Sequence, residues 1–144
     1  MSTRYKINIS RVLIGIVTFV NIQSAISFII NPNMFTPVFL LTGIIGQAVI
    51  QGFGVLFLMW NIPYIVALLD PYKYSTSLIE AVIMQLIGFV GELFILLNLP
   101  PEYRILRNSI IRFILFDGVG LGFLLIATTL VTRIKGHRNV FHPA

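Results

Sequence analysis

The sequence predicts an all-α membrane protein, a bundle of four transmembrane helices with a short interfacial helix between the first and the second. Three observations lead to this fold class. The chain is 57% hydrophobic and 10% charged, whereas a soluble domain averages about 25% charged residues. No charged residue occurs between Val12 and Leu69. Four apolar stretches each reach the roughly 20 residues that a helix needs to cross a bilayer.

The first span is predicted over residues 9–30. Basic residues ahead of this apolar run are also typical of a signal peptide, with a poor cleavage site around Ser27. Against cleavage, the apolar run continues through Phe28, and Asn21 and Gln23 interrupt the region that a signal peptide keeps apolar. We therefore expect an uncleaved first span.

The second span lies within a long apolar tract over residues 34–69. A Thr-Pro step and a Thr-Gly step interrupt the start of this tract, which predicts a short interfacial helix over residues 35–41. The span itself is predicted over residues 43–69. Pro63 should kink it, because proline cannot donate the backbone hydrogen bond that a helix interior requires.

The third and fourth spans follow a turn at residues 70–74, where Asp-Pro and three aromatic or basic residues suit a membrane interface. The third span is predicted over residues 77–99 and ends before two prolines. The fourth is predicted over residues 105–132 and is followed by a basic tail. Residues 1–144 then form a single four-helix domain.

The composition excludes several classes of site. There is no cysteine, so disulfides, thiol catalysis and thiolate metal sites are absent. His137 and His142 both lie in the C-terminal tail, which leaves no histidine within the apolar segments to bind haem or a metal. We find no nucleophile–base pair and no phosphate-binding loop. We therefore predict no enzyme activity, no cofactor, no metal and no nucleic-acid partner.

The basic residues predict the orientation, because Lys and Arg are enriched on the cytoplasmic side of a membrane. Four spans place both termini on one side. That side, with the connection between the second and third spans, holds Arg4, Lys6, Arg11, Lys73, Arg133, Lys135 and Arg138. The other side holds Arg104, Arg107 and Arg112. This bias predicts a multi-pass protein of the plasma membrane with both termini in the cytoplasm.

Polar residues in the second span recur at steps of three or four. Gln47, Gln51 and Asn61 fall on one helical stripe with Gly43 and Gly54. Since glycine often serves close helix packing, the stripe is in part a packing surface. Packing alone does not explain the glutamines, because alanine would pack as well and has no polar group that needs a hydrogen-bond partner. We expect this stripe to face the bundle interior.

The charged residues inside the third and fourth spans define the other candidates. Glu92 and Arg112 are each ten residues from Glu102, so antiparallel neighbours would place them at one depth. They would form either a structural ion pair or part of a functional site. Asp117 lies near the middle of the fourth span, where intramembrane acids often mark a proton, ion or ligand pathway. The nearest polar groups by depth are Gln85 and Asn21.

The first span, the segment from Asn31-Pro32 to Thr36-Pro37 and the glycine-rich start of the second span together resemble the small DoxX-like membrane proteins. The resemblance covers the first two spans. It implies a four-helix bundle, and for some members a link to quinone-dependent redox complexes. Family members often carry an arginine near the start of the second span, where this chain has Gln51.

Two functions of different classes follow. The first is a non-enzymatic membrane component, either an accessory subunit of a membrane complex or a small bundle that binds a lipophile. The second is a small proton-coupled transporter that uses Asp117 or Glu92. The predicted partners are the lipid bilayer, another membrane protein or a second copy of this chain, and a quinone or another lipophile.

Overall fold

A computed structural model describes residues 2–141, with side chains described through Ile134. Its helices are α1 (Thr3–Ile30), a 3₁₀ helix (Pro32–Met34), α2 (Gly43–Trp60), α3 (Ile62–Leu69), α4 (Ser75–Asn98) and α5 (Arg104–Phe141). No strand occurs within these residues. His142 lies outside the described residues, and the side chains of Lys135, His137 and Arg138 are not described.

Four helical segments are long and apolar enough to cross a membrane: Thr3–Ile30, Gly43–Leu69, Ser75–Asn98 and Arg104–Ile134. Their outward faces carry large apolar side chains, such as Ile44 at 83% exposed and Leu97 at 76% exposed. A surface of this kind is stable against lipid and not against water. The predicted class, an all-α bundle of four membrane-spanning helices, is confirmed.

A core of buried side chains lies in the half of the bundle that holds the start of α1 and the end of α5. Here α1, α3, α4 and α5 bury a cluster that consists of Ile14, Val17, Tyr64, Ala67, Leu78, Ala81, Leu124, Ala127 and Val131. Small alanines alternate with branched side chains in this cluster, so the helix backbones can approach closely. This core fixes the relative positions of the helices that carry the polar residues described below.

The second span is broken at Asn61, between α2 and α3. Pro63 follows two residues later and has no N–H to continue the helical ladder, which agrees with the predicted kink. The break lets the two segments pack differently. The short α3 packs on α1 and α4, whereas α2 packs on α1 and has no comparable contact with α4. The bundle is therefore closed at α3 and more open beside α2.

The short helix between the first two spans lies earlier than predicted. It covers Pro32–Met34, and residues 35–40 form turns instead of the helix predicted over residues 35–41. The turns close with a bond from the Leu41 N–H to the Thr36 carbonyl at 2.8 Å. Proline favours the first turn of a helix, which explains the start at Pro32. Gly43 then begins α2 with φ +63°, a backbone conformation that favours glycine.

Candidate ligand-binding site between the helices

A chain of side-chain hydrogen bonds crosses the bundle interior from α3 to α5. The Tyr64 hydroxyl donates to Gln85 Oε1 at 2.7 Å, and Gln85 Nε2 donates to Asp117 Oδ1 at 2.8 Å. Tyr64 and Gln85 are each only 3% exposed. The chain satisfies both ends of the glutamine amide, as buried polar groups require. The predicted proximity of Gln85 to Asp117 is confirmed.

Two glycines provide the space that this chain occupies. A Cβ at Gly88 of α4 would overlap the Asp117 carboxylate, and a Cβ at Gly120 of α5 would lie 2.7 Å from Gln85 Nε2. Each glycine therefore lets a polar side chain of the facing helix approach the backbone. The hydrogen bond between Gln85 of α4 and Asp117 of α5 depends on the space left by both glycines.

A cavity of about 80 Å³ adjoins the chain. Its polar lining includes Tyr64, Gln85, Asp117 and Glu92, and α1 contributes Asn21. Glu92 lies one to two helical turns from Gln85 and Gly88 on the same face of α4. One oxygen of its carboxylate, Oε2, is buried and has no hydrogen-bond partner. Among the side chains that the structure describes, no basic one lines this cavity.

Asn61 contributes a second unpaired oxygen to the cavity. The residue is 2% exposed, and its Nδ2 donates to the Phe57 carbonyl at 2.6 Å. Because a carbonyl can only accept, this bond assigns the nitrogen and leaves Oδ1 as the free atom. Asn61 Oδ1 is buried without a partner. The break between α2 and α3 thus places a buried amide oxygen at the cavity.

An apolar cleft of about 320 Å³ lies next to the polar cavity, on the side away from the termini. The two spaces share Phe57, Glu92 and Phe113. The rest of the cleft is lined by Phe28, Phe39, Phe53, Ile95, Leu106 and Ile110. The only ionisable residue along the cleft, within the described chain, is Glu92. The arrangement is an apolar space with a polar end.

The glutamines of the second span, which were predicted to face the bundle interior, lie beside the inward face of α2. The buried residues of α2 are Gly46, Ile50 and Gly54, so the inward face is rotated from the predicted one. Gln51 is exposed and donates to the Ile29 carbonyl of α1 at 3.1 Å, which corrects its predicted interior position. Gln47 is half-buried. A glutamine side chain is long enough to hydrogen-bond to the backbone of the neighbouring helix from a position beside the helix interface.

Gly43 is the first residue of α2 and is exposed, so the stripe prediction is wrong at this position as well. Gly54 and Asn61 are buried as predicted. The true inward face continues from Gly54 through Asn61 to Tyr64 at steps that fit one side of a helix. That continuation could have identified Tyr64 from the sequence, since it carries a hydroxyl on the same face.

Glu92 and Arg112 do not form the predicted pair. Arg112 is exposed, whereas Glu92 is half-buried and faces the cavity with an unpaired oxygen. An equal number of residues from the turn gives two residues in antiparallel helices the same depth, but it does not determine the direction in which each side chain points. Arg112 precedes Asp117 by five residues, which turns the helix by about 140°. The two residues therefore point to different sides of α5, and Asp117 takes the inward one.

No protein-family model, curated protein or solved structure matches this chain. Within the described part of the chain, no group of three His, Cys, Asp or Glu residues could hold a metal ion. The chemistry of the site therefore rests on its geometry: two carboxylates, an unpaired amide oxygen and an aromatic cleft.

Proposed function

We propose that this chain is a non-enzymatic membrane protein that binds a small lipophile, alone or as an accessory subunit of a membrane complex. The observation that carries the proposal is the aromatic cleft that joins a polar cavity at Phe57, Glu92 and Phe113. Ligand sites are typically concave and mostly apolar, with a few convergent polar groups that orient the ligand. A cleft of about 320 Å³ lies at the lower end of the size range of such sites.

The experiment is extraction of the protein after purification from native membranes in mild detergent. We expect mass spectrometry to find a small lipophile enriched over bulk phospholipid. The variant Leu106→Trp should reduce the bound amount several-fold, because the larger ring fills the cleft. Leu115→Trp is the matched control on the same helix, where the side chain is 63% exposed and lines neither space.

An extract with the composition of bulk lipid in all three proteins would contradict the proposal. A quinone in the extract would support the DoxX-like resemblance, and a protein that co-purifies in a fixed ratio would support the role of accessory subunit. The same preparation therefore distinguishes these forms of the proposed function.

A second candidate is a small proton-coupled transporter. It is favoured by one observation: Asp117 and Glu92 line the same cavity, and a hydrogen-bond chain leads from Asp117 through Gln85 to Tyr64. Proteoliposomes loaded with a pH-sensitive dye test it. A proton-coupled transporter would change the pH of the vesicle interior when a substrate gradient is applied, and Asp117→Asn would abolish the signal. Equal rates in protein-containing and empty vesicles would reject this candidate.

We further propose that the chain lies in the plasma membrane with both termini in the cytoplasm, on the basis of its Lys and Arg distribution. Reporters active on only one side of the membrane should alternate when fused at Asn33, Lys73, Glu102 and the C-terminus. The fusions at Lys73 and the C-terminus should report cytoplasm. A C-terminal fusion that reports the opposite side, or a chain cleaved after Ser27, would contradict this topology.

A further inference from the structure

The buried polar atoms that lack a partner at the cavity are all of one kind. Asn61 Oδ1 and Glu92 Oε2 are oxygens that accept hydrogen bonds. The donors of the hydrogen-bond chain beside the cavity are already used, because the Tyr64 hydroxyl donates to Gln85 and Gln85 Nε2 donates to Asp117. An acceptor that is buried without a donor loses its hydrogen bonds with water and gains none in the protein, which costs free energy. A ligand that supplies N–H or O–H donors at this place would recover that cost.

The charges at the cavity also favour a ligand that donates hydrogen bonds. Glu92 and Asp117 contribute two carboxyl groups, and no basic side chain within the described residues lines the cavity or the cleft. Asn21 and Ser24 of α1 add neutral groups that can donate or accept. An ionised carboxylate away from water is costly unless a positive charge compensates it. A cationic donor satisfies both the charge and the unpaired oxygens.

The rings around the carboxylates favour a cation as well. Phe57, Trp60 and Phe113 line the cavity, and the rings of Phe57 and Trp60 stack with centroids 6.1 Å apart. The faces of aromatic rings attract ammonium groups, and the attraction is stronger where water is excluded. Phe57 and Phe113 also line the cleft. A cation at this place would therefore have its apolar part directed into the cleft.

We propose, on the basis of the function proposed above, that the lipophile is a primary ammonium amphiphile. Its ammonium group lies in the polar cavity and donates to Glu92, Asn61 and Asp117. Its apolar part occupies the aromatic cleft. A cavity of about 80 Å³ admits a small headgroup, since about 10 to 15 Å³ of such space is enough to hold one water molecule. The cleft is four times larger and takes the apolar body.

The test is equilibrium dialysis of radiolabelled octylamine against the full chain in nanodiscs, with empty nanodiscs to subtract partitioning into lipid. We expect saturable retention of octylamine at one molecule per chain. 1-Octanol has the same chain length without the charge, and octyltrimethylammonium has the charge without an N–H. Each of these two probes should be retained at least about tenfold more weakly than octylamine, because a hydrogen bond to a charged group is worth about 1.5 to 3 kcal/mol.

Two variants test the residues. Glu92→Gln and Asp117→Asn should each weaken octylamine retention about tenfold or more and leave that of 1-octanol unchanged. Glu80→Gln is the matched control, because Glu80 lies on the same helix, is exposed and lines neither space. Elution as a single species in size-exclusion chromatography checks that each variant folds. If only one of the two acid variants folds, that variant alone tests the inference.

Other outcomes would overturn the inference. If 1-octanol is retained as well as octylamine and neither acid variant changes retention, the site takes a neutral lipophile, and only the proposed function survives. Equal retention of octyltrimethylammonium would reject the hydrogen-bonding ammonium. If no probe exceeds empty nanodiscs, the inference fails, and the extraction experiment decides separately whether the proposed function fails with it.

Discussion

Gly54→Ala should destabilise the bundle by about 1 to 3 kcal/mol. Gly54 is buried where α2 crosses α1, and a Cβ there would lie 2.7 Å from both the Ala25 carbonyl oxygen and Ile29 Cγ1. The Ile29 side chain can rotate away, but the carbonyl belongs to the helix backbone. Relief therefore requires α1 and α2 to separate, which costs packing along their interface. Overpacking of this kind, with the backbone shifts that it forces, typically costs about 1 to 3 kcal/mol.

Gly52→Ala is the matched control two residues away. Its Cβ would meet nothing within 4 Å, so the variant keeps the gain of up to about 1 kcal/mol that alanine brings to a helix. The measurement is the free energy of unfolding in mixed micelles, by titration with a denaturing detergent. The stability should rank Gly52→Ala at or above wild type and Gly54→Ala well below it. Equal stability of the two variants would show that α1 and α2 do not cross at Gly54.

The spans could be predicted from the sequence because they depend on local properties. Length, apolar composition and the positions of prolines determine where a helix can cross a bilayer, and none of these depends on a distant residue. The predicted span over residues 43–69 matches the apolar segment Gly43–Leu69, with the break next to Pro63. The start of the short connecting helix was predicted three residues too late, because Pro32 suits the first turn of a helix better than Phe35 does.

The site was predicted only where depth alone decides which residues meet. Counting from a turn gives the height of a residue in the membrane, which brought Gln85 and Asp117 together correctly. The same count failed for Glu92 and Arg112, because height does not determine which way a side chain points. The direction depends on how each helix is rotated in the bundle. That rotation is set by packing between segments distant in sequence, such as Gly120 of α5 against Gln85 of α4.

The aromatic cleft could not be predicted from the sequence, for a related reason. Its walls come from α1, the turns before α2, α2, α4 and α5, with Phe28 and Phe39 adjoining each other at 6.3 Å between ring centroids. Phenylalanine is common in membrane spans, so its presence does not indicate a ligand. The space lies between α2 and α4, which lack the close contact that α3 makes with α4 beyond the break at Asn61. A proline predicts that a helix bends but not the direction of the bend.

Gly88→Ala should weaken binding of octylamine about tenfold and leave the bundle folded. A Cβ at position 88 would overlap the Asp117 carboxylate. Unlike the carbonyl facing Gly54, this carboxylate ends a side chain that can rotate, so the backbone need not move. Rotation breaks the bond from Gln85 Nε2 to Asp117 Oδ1 and removes one acceptor from the cavity. A hydrogen bond between this acceptor and a cationic ligand is worth about 1.5 to 3 kcal/mol, which corresponds to a tenfold or larger change in affinity.

Gly91→Ala tests whether this effect belongs to the site, because a Cβ there on the same helix would meet nothing within 4 Å. It should bind octylamine as wild type does. The free energy of unfolding separates the two mechanisms: the alanine at position 88 stabilises the helix by up to about 1 kcal/mol, which offsets much of the cost of the broken hydrogen bond. The stability of Gly88→Ala should therefore stay within about 1 kcal/mol of wild type, while its affinity for octylamine falls. A drop in stability as large as that of Gly54→Ala would mean that Gly88 serves helix packing, and unchanged affinity in both variants would mean that Asp117 takes no part in binding.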